Sequence, residues 1–174
     1  SEGTLGRQHL FELLDLVENS EYVYILETNG ITLGADPEFA QALAKYKRLH
    51  VRVSIKGTSE DEYHELTGAM PSSYRLPFLG LGHLIDAGVS CNACVMVSFS
   101  DEDGIAQVKR DLGKVHPGIL KSVELEKITM FPKVAERLKK AGLKPTSAKY
   151  IRGKRRAAQG QSAGTRQLSS TINY

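Results

Sequence analysis

The chain of 174 residues is 41% hydrophobic and 25% charged, which is typical of a globular domain with its own core. Its two cysteines are too few for a disulfide scaffold. No run of about eighteen apolar residues predicts a membrane span, and the first residues do not resemble a secretory leader. These features exclude fibrous, disulfide-rich and membrane-spanning classes, and we expect a cytoplasmic protein with no membrane partner.

The formal net charge of +3 is unevenly distributed along the chain. From Lys149 onward there are six basic residues and no acidic residue, whereas residues 1–148 hold 17 basic and 20 acidic residues. After about Thr146 the apolar periodicity ends, and Gly, Ser and Gln become frequent. This composition predicts a domain over residues 1–145 and a basic, disordered tail over residues 146–174.

The first half of the chain alternates helical and strand patterns. Residues 5–19 place leucines at helical spacing, which predicts a first helix. Residues 22–26 are almost entirely apolar, a pattern typical of a strand buried on both faces. Asp36 followed by Pro37 indicates the start of a second helix.

A second strand is predicted over residues 49–55, and its two faces differ. Its apolar face carries valine and isoleucine, whereas the other face carries three polar residues, Arg52, Ser54 and Lys56. Because the strand is predicted to lie in the core, the three polar residues along one of its faces suggest a functional role.

The second half of the chain continues the alternation. The predicted elements are a helix opened by the capping box at residues 59–62, a helix over 73–87, a strand over 89–99, a helix after Asp101, a strand over 122–129 and a helix from Pro132 to Gly142. Strands that alternate with helices through short loops predict a parallel sheet, either open or curved into part of a barrel. Because the pattern opens on a helix, we expect the chain to be the later part of a larger fold.

The ends of the first two strands carry polar residues that would meet at one edge of the sheet. Glu27 and Asn29 follow the first strand, and Ser54 and Lys56 close the second. An acid, an amide, a hydroxyl and an ammonium suit a zwitterion such as an amino acid. The alternative is a purely structural Glu27–Lys56 ion pair beside a turn.

Three further features have mainly structural interpretations. Arg52 is expected to pair with Glu124 or Glu126 of the last strand rather than with a ligand. Cys91 and Cys94 are three positions apart in a strand and would face opposite sides, so we expect no metal site there. The basic run at residues 152–156 has no predicted fold around it, so a solvated tail is favoured and a nucleic acid partner is not expected.

The two strand ends, Leu26-Glu27-Thr28-Asn29-Gly30 and Val51-Arg52-Val53-Ser54-Ile55-Lys56-Gly57-Thr58, resemble radical S-adenosylmethionine (radical SAM) proteins. They are most similar to archaeal members related to pyruvate formate-lyase activating enzyme. The opening residues 2–10 resemble the continuation of that family's Gly-Gly-Glu-Pro motif, with Gly3 in place of the proline. The resemblance covers residues 1–145.

The resemblance implies a partial (β/α)6 barrel in which a [4Fe-4S] cluster reduces S-adenosylmethionine. It implies that Glu2 binds the ammonium of the cofactor, that Glu27 and Asn29 lie beside it, and that Ser54 and Lys56 reach its methionyl or ribose groups. The family's Cys-x3-Cys-x2-Cys run does not occur in this sequence. The cluster would therefore come from a missing N-terminal half or from a cluster-bearing partner chain, and this chain alone would not be catalytic.

Two other functions remain open from the sequence. The first is a non-catalytic βα module that binds a ligand, or a partner protein at an open sheet edge. The second is a barrel isomerase or aldolase that uses Lys56 as a base or Schiff-base amine. No residue can be assigned a catalytic role from the sequence.

Overall fold

A four-stranded parallel sheet organises residues 2–150, which are the residues that the computed structural model describes. The strands lie side by side in chain order. They are β1 (Tyr24–Thr28), β2 (Leu49–Lys56), β3 (Cys91–Met96) and β4 (Glu124–Glu126). The predicted α/β class with a parallel sheet is therefore confirmed.

Seven α-helices accompany the strands within the described range. They are α1 (Arg7–Glu18), α2 (Ile31–Ala35), α3 (Pro37–Leu43), α4 (Glu60–Thr67), α5 (Leu76–Asp86), α6 (Glu102–Val115) and α7 (Pro132–Lys140). Short 3₁₀ turns cover Gly3–Leu5, Pro71–Arg75 and Pro117–Lys121. Among the helices of residues 2–150, none combines the length and the apolar character needed to cross a bilayer.

The hydrophobic core lies on one face of the sheet. The core side chains of β2 are Leu49, Val51, Val53 and Ile55, and the alternate residues of that strand are only half-buried. Helices α1 to α3, α5 and α6 contribute the leucines, Phe39 and Val108 that complete the core. Each polar residue of β2 consequently lies on the face opposite to the core, as the alternation predicts.

The first and last strands differ from their predicted form. β1 lies at the edge of the sheet and is buried on one face only, because Ile25 is 56% exposed and the preceding Val23 is 62% exposed. The predicted burial on both faces is therefore wrong. The predicted fourth strand is interrupted: β4 covers only Glu124–Glu126, and a separate strand, β5, covers Thr129–Met130.

Residues 127–150 form a small unit beyond β4. Within it, β5 pairs in parallel with β6 (Lys149–Tyr150), and α7 lies between them in the chain. Buried Ser98 ties this unit to the main sheet: its hydroxyl accepts a hydrogen bond from the Ile128 N–H (2.7 Å), and its carbonyl accepts one from the Thr146 N–H (2.7 Å). Residues 146–150, expected in the tail, are thus hydrogen-bonded, and residues 151–174 lie outside the described range.

Candidate functional site

On the polar face of the sheet, side chains from all four strands form three rows. The strand register places Glu27, Arg52 and Asn92 in one row and Ser54, Cys94 and Glu124 in the next. Lys56, Met96 and Glu126 form a third row, at the carboxyl ends of the strands. Residues paired across parallel strands point to the same side, so these rows share one surface, which we call the open face.

Arg52 is the centre of the open face. Its guanidinium donates to the Glu27 carboxylate, to Glu124 Oε2 (2.8 Å) and to Glu126 Oε1 (3.1 Å). The hydrogen bond to Glu124, together with the nearby negative charges of Glu124 and Glu27, raises the pKa of Arg52 and keeps it charged. The hydrogen bond from Arg52, followed by one from Asn92, lowers the pKa of Glu124. The predicted pairing of Arg52 with Glu124 and Glu126 is confirmed.

A second branch of hydrogen bonds runs along β3. Buried Asn92 donates to Glu124 Oε1 (2.8 Å), and its Oδ1 lies 2.9 Å from His50 Nε2. The other ring nitrogen of His50 contacts the Ser90 hydroxyl at 2.8 Å. The open face therefore holds one continuous polar network from Ser90 to Glu27.

Lys56 and Ser54 stand apart from this network. The Lys56 ammonium donates to the Ser54 hydroxyl (3.1 Å), and both side chains are half-buried. No ion pair between Lys56 and a carboxylate forms among residues 2–150, so the structural alternative of a Glu27–Lys56 pair is wrong. Glu27 pairs instead with Arg52, which lies directly opposite it in the register.

Glu2 and Asn29 meet at the end of β1. Glu2 Oε2 accepts from the Asn29 N–H (2.8 Å), and Oε1 accepts from the hydroxyls of Thr28 (2.8 Å) and Thr4 (2.7 Å). Burial opposes ionisation of Glu2, but these hydrogen bonds outweigh it and lower the pKa of its carboxyl. The Asn29 side-chain oxygen also accepts a hydrogen bond from the N–H of Ile31 (3.0 Å), the first residue of α2.

The five predicted site residues thus fall into two groups. Glu27, Ser54 and Lys56 share the open face, and Glu27 and Ser54 line a cavity of about 40 Å³ together with Arg52, Cys94 and Glu126. Glu2 and Asn29 lie at the end of β1, where both make hydrogen bonds to this chain's own backbone. The small cavity has room for about one or two water molecules, so a larger ligand would lie above it.

A larger cleft lies away from all five residues. It measures about 600 Å³ and lies where α4 and α6 begin. Its walls include Thr58, Glu62 and Ser100, and Glu62 joins the other two through hydrogen bonds of 2.9 Å and 2.7 Å. These bonds tie the loop after β2 to the loop after β3.

The cysteines do not suit a metal cluster. Cys91 contributes to the helix-covered side of β3, where burial raises the pKa of its thiol to about 11. Cys94 lies on the open face beside Arg52. Two cysteines on opposite faces do not fit a [4Fe-4S] cluster, which needs several thiolates at one point.

One group of side chains brings potential metal-ligand atoms within 4.8 Å of one another, and it consists of Cys94, Glu124 and Glu126. Arg52 already supplies the cation that this group would need, because its guanidinium is bonded to both carboxylates. Burial also raises the pKa of the Cys94 thiol, which disfavours the thiolate that metal binding requires. We therefore assign no metal to this group.

His50 and Asn92 belong to the open face but were not among the predicted site residues. The alternation of β2 that selected Arg52, Ser54 and Lys56 also includes His50 and could have found it. Asn92 gave no such signal, because only the register of β3 against β2 places it opposite Arg52.

Comparisons of this chain with protein-family models, with curated proteins and with solved structures find no match.

Proposed function

We propose that this chain is the C-terminal portion of a radical S-adenosylmethionine enzyme and forms walls of the cofactor and substrate pocket. The observation that carries the proposal is the open face: four consecutive parallel strands present polar side chains opposite the helix-packed core. In a (β/α) barrel, helices cover the outside and the other face of each strand points inward. A partial barrel would therefore place this network in its interior.

The proposed ligand contacts follow from charge. S-adenosylmethionine carries an α-amino-acid group, whose carboxylate suits the Lys56 ammonium and the Ser54 hydroxyl. Glu27 suits the ammonium of that group, because its Oε1 contacts Arg52 whereas its Oε2 has no hydrogen bond within residues 2–150. Glu2 and Asn29 would border the pocket at the end of β1. Bound S-adenosylmethionine would supply the cleavable sulfonium on which the chemistry of the resembled family depends.

In this proposal, the [4Fe-4S] cluster would be bound by cysteines that do not belong to this chain. Cys91 and Cys94 do not fit it, so an upstream segment or a partner chain would supply its cysteines. The role of this chain is then to bind and orient the cofactor, and we assign it no redox step.

Calorimetric titration with S-adenosylmethionine tests the proposal on the chain as it stands. We expect weak binding that Lys56→Ala reduces by about tenfold, because a charge-assisted contact to the carboxylate is lost. Lys109→Ala is the matched control, since Lys109 is exposed on α6 and makes no side-chain hydrogen bond to a described residue. Absence of binding, or equal losses in both variants, would refute the proposal.

The alternative is a non-catalytic βα module that binds a partner along its sheet edge. One observation favours it: β1 is an edge strand, and Tyr22, Val23 and Ile25 at that edge are between 56% and 78% exposed. Self-association without binding of S-adenosylmethionine would support this second function.

A further inference from the structure

The basic part of the chain begins before the predicted tail, within the residues that the structure describes. Residues 127–150 contain seven basic residues and one acidic residue, Glu136, and residues 151–174 contain five basic residues and none acidic. Residues 1–126 contain 11 basic and 19 acidic residues. The change in charge therefore falls at Lys127, where the unit of β5, α7 and β6 begins, rather than at Lys149.

The cations of this unit are available to a partner. All seven are exposed, and none forms an ion pair with an acidic side chain of residues 2–150. They are Lys127, Lys133, Arg137, Lys139, Lys140, Lys144 and Lys149. In residues 1–126, four of the eleven cations, Arg7, Lys45, Arg52 and Lys114, pair with carboxylates.

Helix α7 arranges three of these cations in a row. Lys133, Arg137 and Lys140 follow the i, i+4, i+7 spacing, so they share one side of the helix over about 10 Å. Val134 and Leu138 occupy a neighbouring stripe and are half-buried. The helix thus presents a cationic side while its apolar stripe is partly covered.

Exposed aromatic rings accompany the cations. Phe131, which immediately precedes α7, is 51% exposed, and Tyr150 at the end of β6 is 75% exposed. The register pairs Thr129 with Lys149, and Phe131 lies two residues after Thr129. Phe131 directly follows β5, and Lys149 and Tyr150 form its partner strand β6, so both rings and Lys149 belong to the ends of the small sheet.

We propose that the unit of residues 127–150 is a binding surface for single-stranded nucleic acid, in which its cations contact phosphates and Phe131 stacks on a base. Proteins of that kind combine a positively charged track with exposed aromatic side chains. The sequence predicted a solvated tail rather than a nucleic acid contact at residues 152–156, whereas this surface belongs to residues 127–150, which the structure describes.

A bilayer surface fits these residues less well. An interfacial helix binds by inserting an apolar face of substantial area. Helix α7 has nine residues, and its apolar stripe already packs in part against the protein. The free features of this unit are charges and two aromatic rings, which match a polyanion with bases.

Fluorescence anisotropy with a labelled uridine 20-mer tests the proposal on the full chain over a range of KCl concentrations. Replacing Lys133, Arg137 and Lys140 together by glutamine should lower the salt dependence (the slope of log K against log[KCl]) by about 2 and weaken binding at least tenfold at low salt. Phe131→Leu should weaken binding by about tenfold with an unchanged salt slope, because it removes stacking but no charge.

Two matched triple variants make the test specific. Replacing Lys45, Lys109 and Lys114 by glutamine changes the net charge equally but on the acidic part, and it should leave most of the affinity. Replacing Arg152, Lys154 and Arg155 by glutamine removes three charges of the tail.

Equal losses in the first control and in the α7 variant, or a loss confined to the tail variant, would overturn the proposal. Binding to phosphatidylserine vesicles without binding to the 20-mer would also overturn it. Circular dichroism confirms that each variant is folded.

Discussion

Arg52 shows how one side chain can organise a surface. It is the sole cation bonded to three carboxylates that come from β1 and β4 within the described chain. Its side chain is only 24% exposed, whereas those of Glu27 and Glu124 are 68% and 48% exposed. The guanidinium is thus partly desolvated, whereas its carboxylate partners remain largely solvated. Each ion pair alone is therefore weak, and the main effect of the three carboxylates is to accept the hydrogen bonds of the Arg52 guanidinium.

Replacing Arg52 by glutamine should lower the free energy of unfolding by about 2 kcal/mol near neutral pH, since three carboxylates would then repel one another around a neutral group. Urea denaturation measures this loss. Arg137→Gln, which removes an exposed arginine without an ion pair to residues 2–150, should change the stability by less than about 0.5 kcal/mol.

The pH dependence of that loss follows from Glu124. The hydrogen bond from Arg52 lowers the pKa of Glu124 below that of an ordinary glutamate, so the stabilisation is present above the ordinary pKa. It is lost as the pH falls through the folded-state pKa, where the carboxylate takes up a proton. The difference between wild type and Arg52→Gln should therefore shrink as the pH is lowered from about 6 into the acid range below the ordinary glutamate pKa. A constant difference over this range would contradict the role of Arg52 as the partner of Glu124.

The sequence predicted the partners of Arg52 better than those of Glu27. Alternation along β2 places Arg52 on the polar face, and parallel order brings the acids of the last strand to the same face. The partner of Glu27 depends on the stagger between β1 and β2, which sets Glu27 opposite Arg52 rather than Lys56. Alternation does not encode that stagger, so the predicted structural pair was wrong.

At the level of elements, the contact between α2 and α5 is the closest helix packing at the site end of the sheet. A Cβ atom at Gly34 would lie 2.0 Å from the Leu76 carbonyl oxygen, and one at Gly80 would lie 2.9 Å from the Gly30 carbonyl oxygen. Gly30 itself has a φ of 73°, which a residue with a side chain adopts at a cost. Glycine therefore lets the helix after β1 pack directly against the backbone of α5.

Gly34→Ala should destabilise the protein by about 3 kcal/mol, because the added methyl group overlaps a backbone carbonyl that cannot move without shifting α5. Gly82→Ala is the matched control within α5, since its nearest contact would be Val115 at an ordinary 3.7 Å. The control should be neutral or should gain up to about 1 kcal/mol from helix propensity. Thermal or urea denaturation of both variants gives the comparison, and equal effects would show that this close approach is not required.

Helix α2 was not predicted from the sequence. Its five residues, Ile31–Ala35, contain a glycine and two β-branched residues, and they are too few for a helical period. Tertiary packing against α5, rather than propensity, holds this turn of helix in place. The starts of α3 and α4 were predicted correctly, because Asp36 and Ser59 are local caps that accept from Phe39 and Glu62.

Within residues 2–150, the parallel sheet has one face without covering helices and two edge strands, β1 and β4, without an outer neighbouring strand. All-parallel sheets are normally covered on both faces, because their connections place helices there. Here the core lies on one face, the other carries the network around Arg52, and the outer edge of β1 has no neighbouring strand among the described ones. In the function proposed above, this open face is the surface that an upstream segment or a partner chain would cover.

The exposed edge of β1 should make the isolated chain self-associate. Edge strands pair readily with other strands, and Tyr22, Val23 and Ile25 add an exposed apolar strip there. Ile25→Lys should abolish the concentration-dependent increase in mass measured by sedimentation velocity, because a charge on an edge strand opposes strand addition. Leu16→Lys makes the same change in charge at a residue of α1 that is 73% exposed, and it should leave association intact. A wild-type chain that remains monomeric at high concentration would show that this edge is protected by other means.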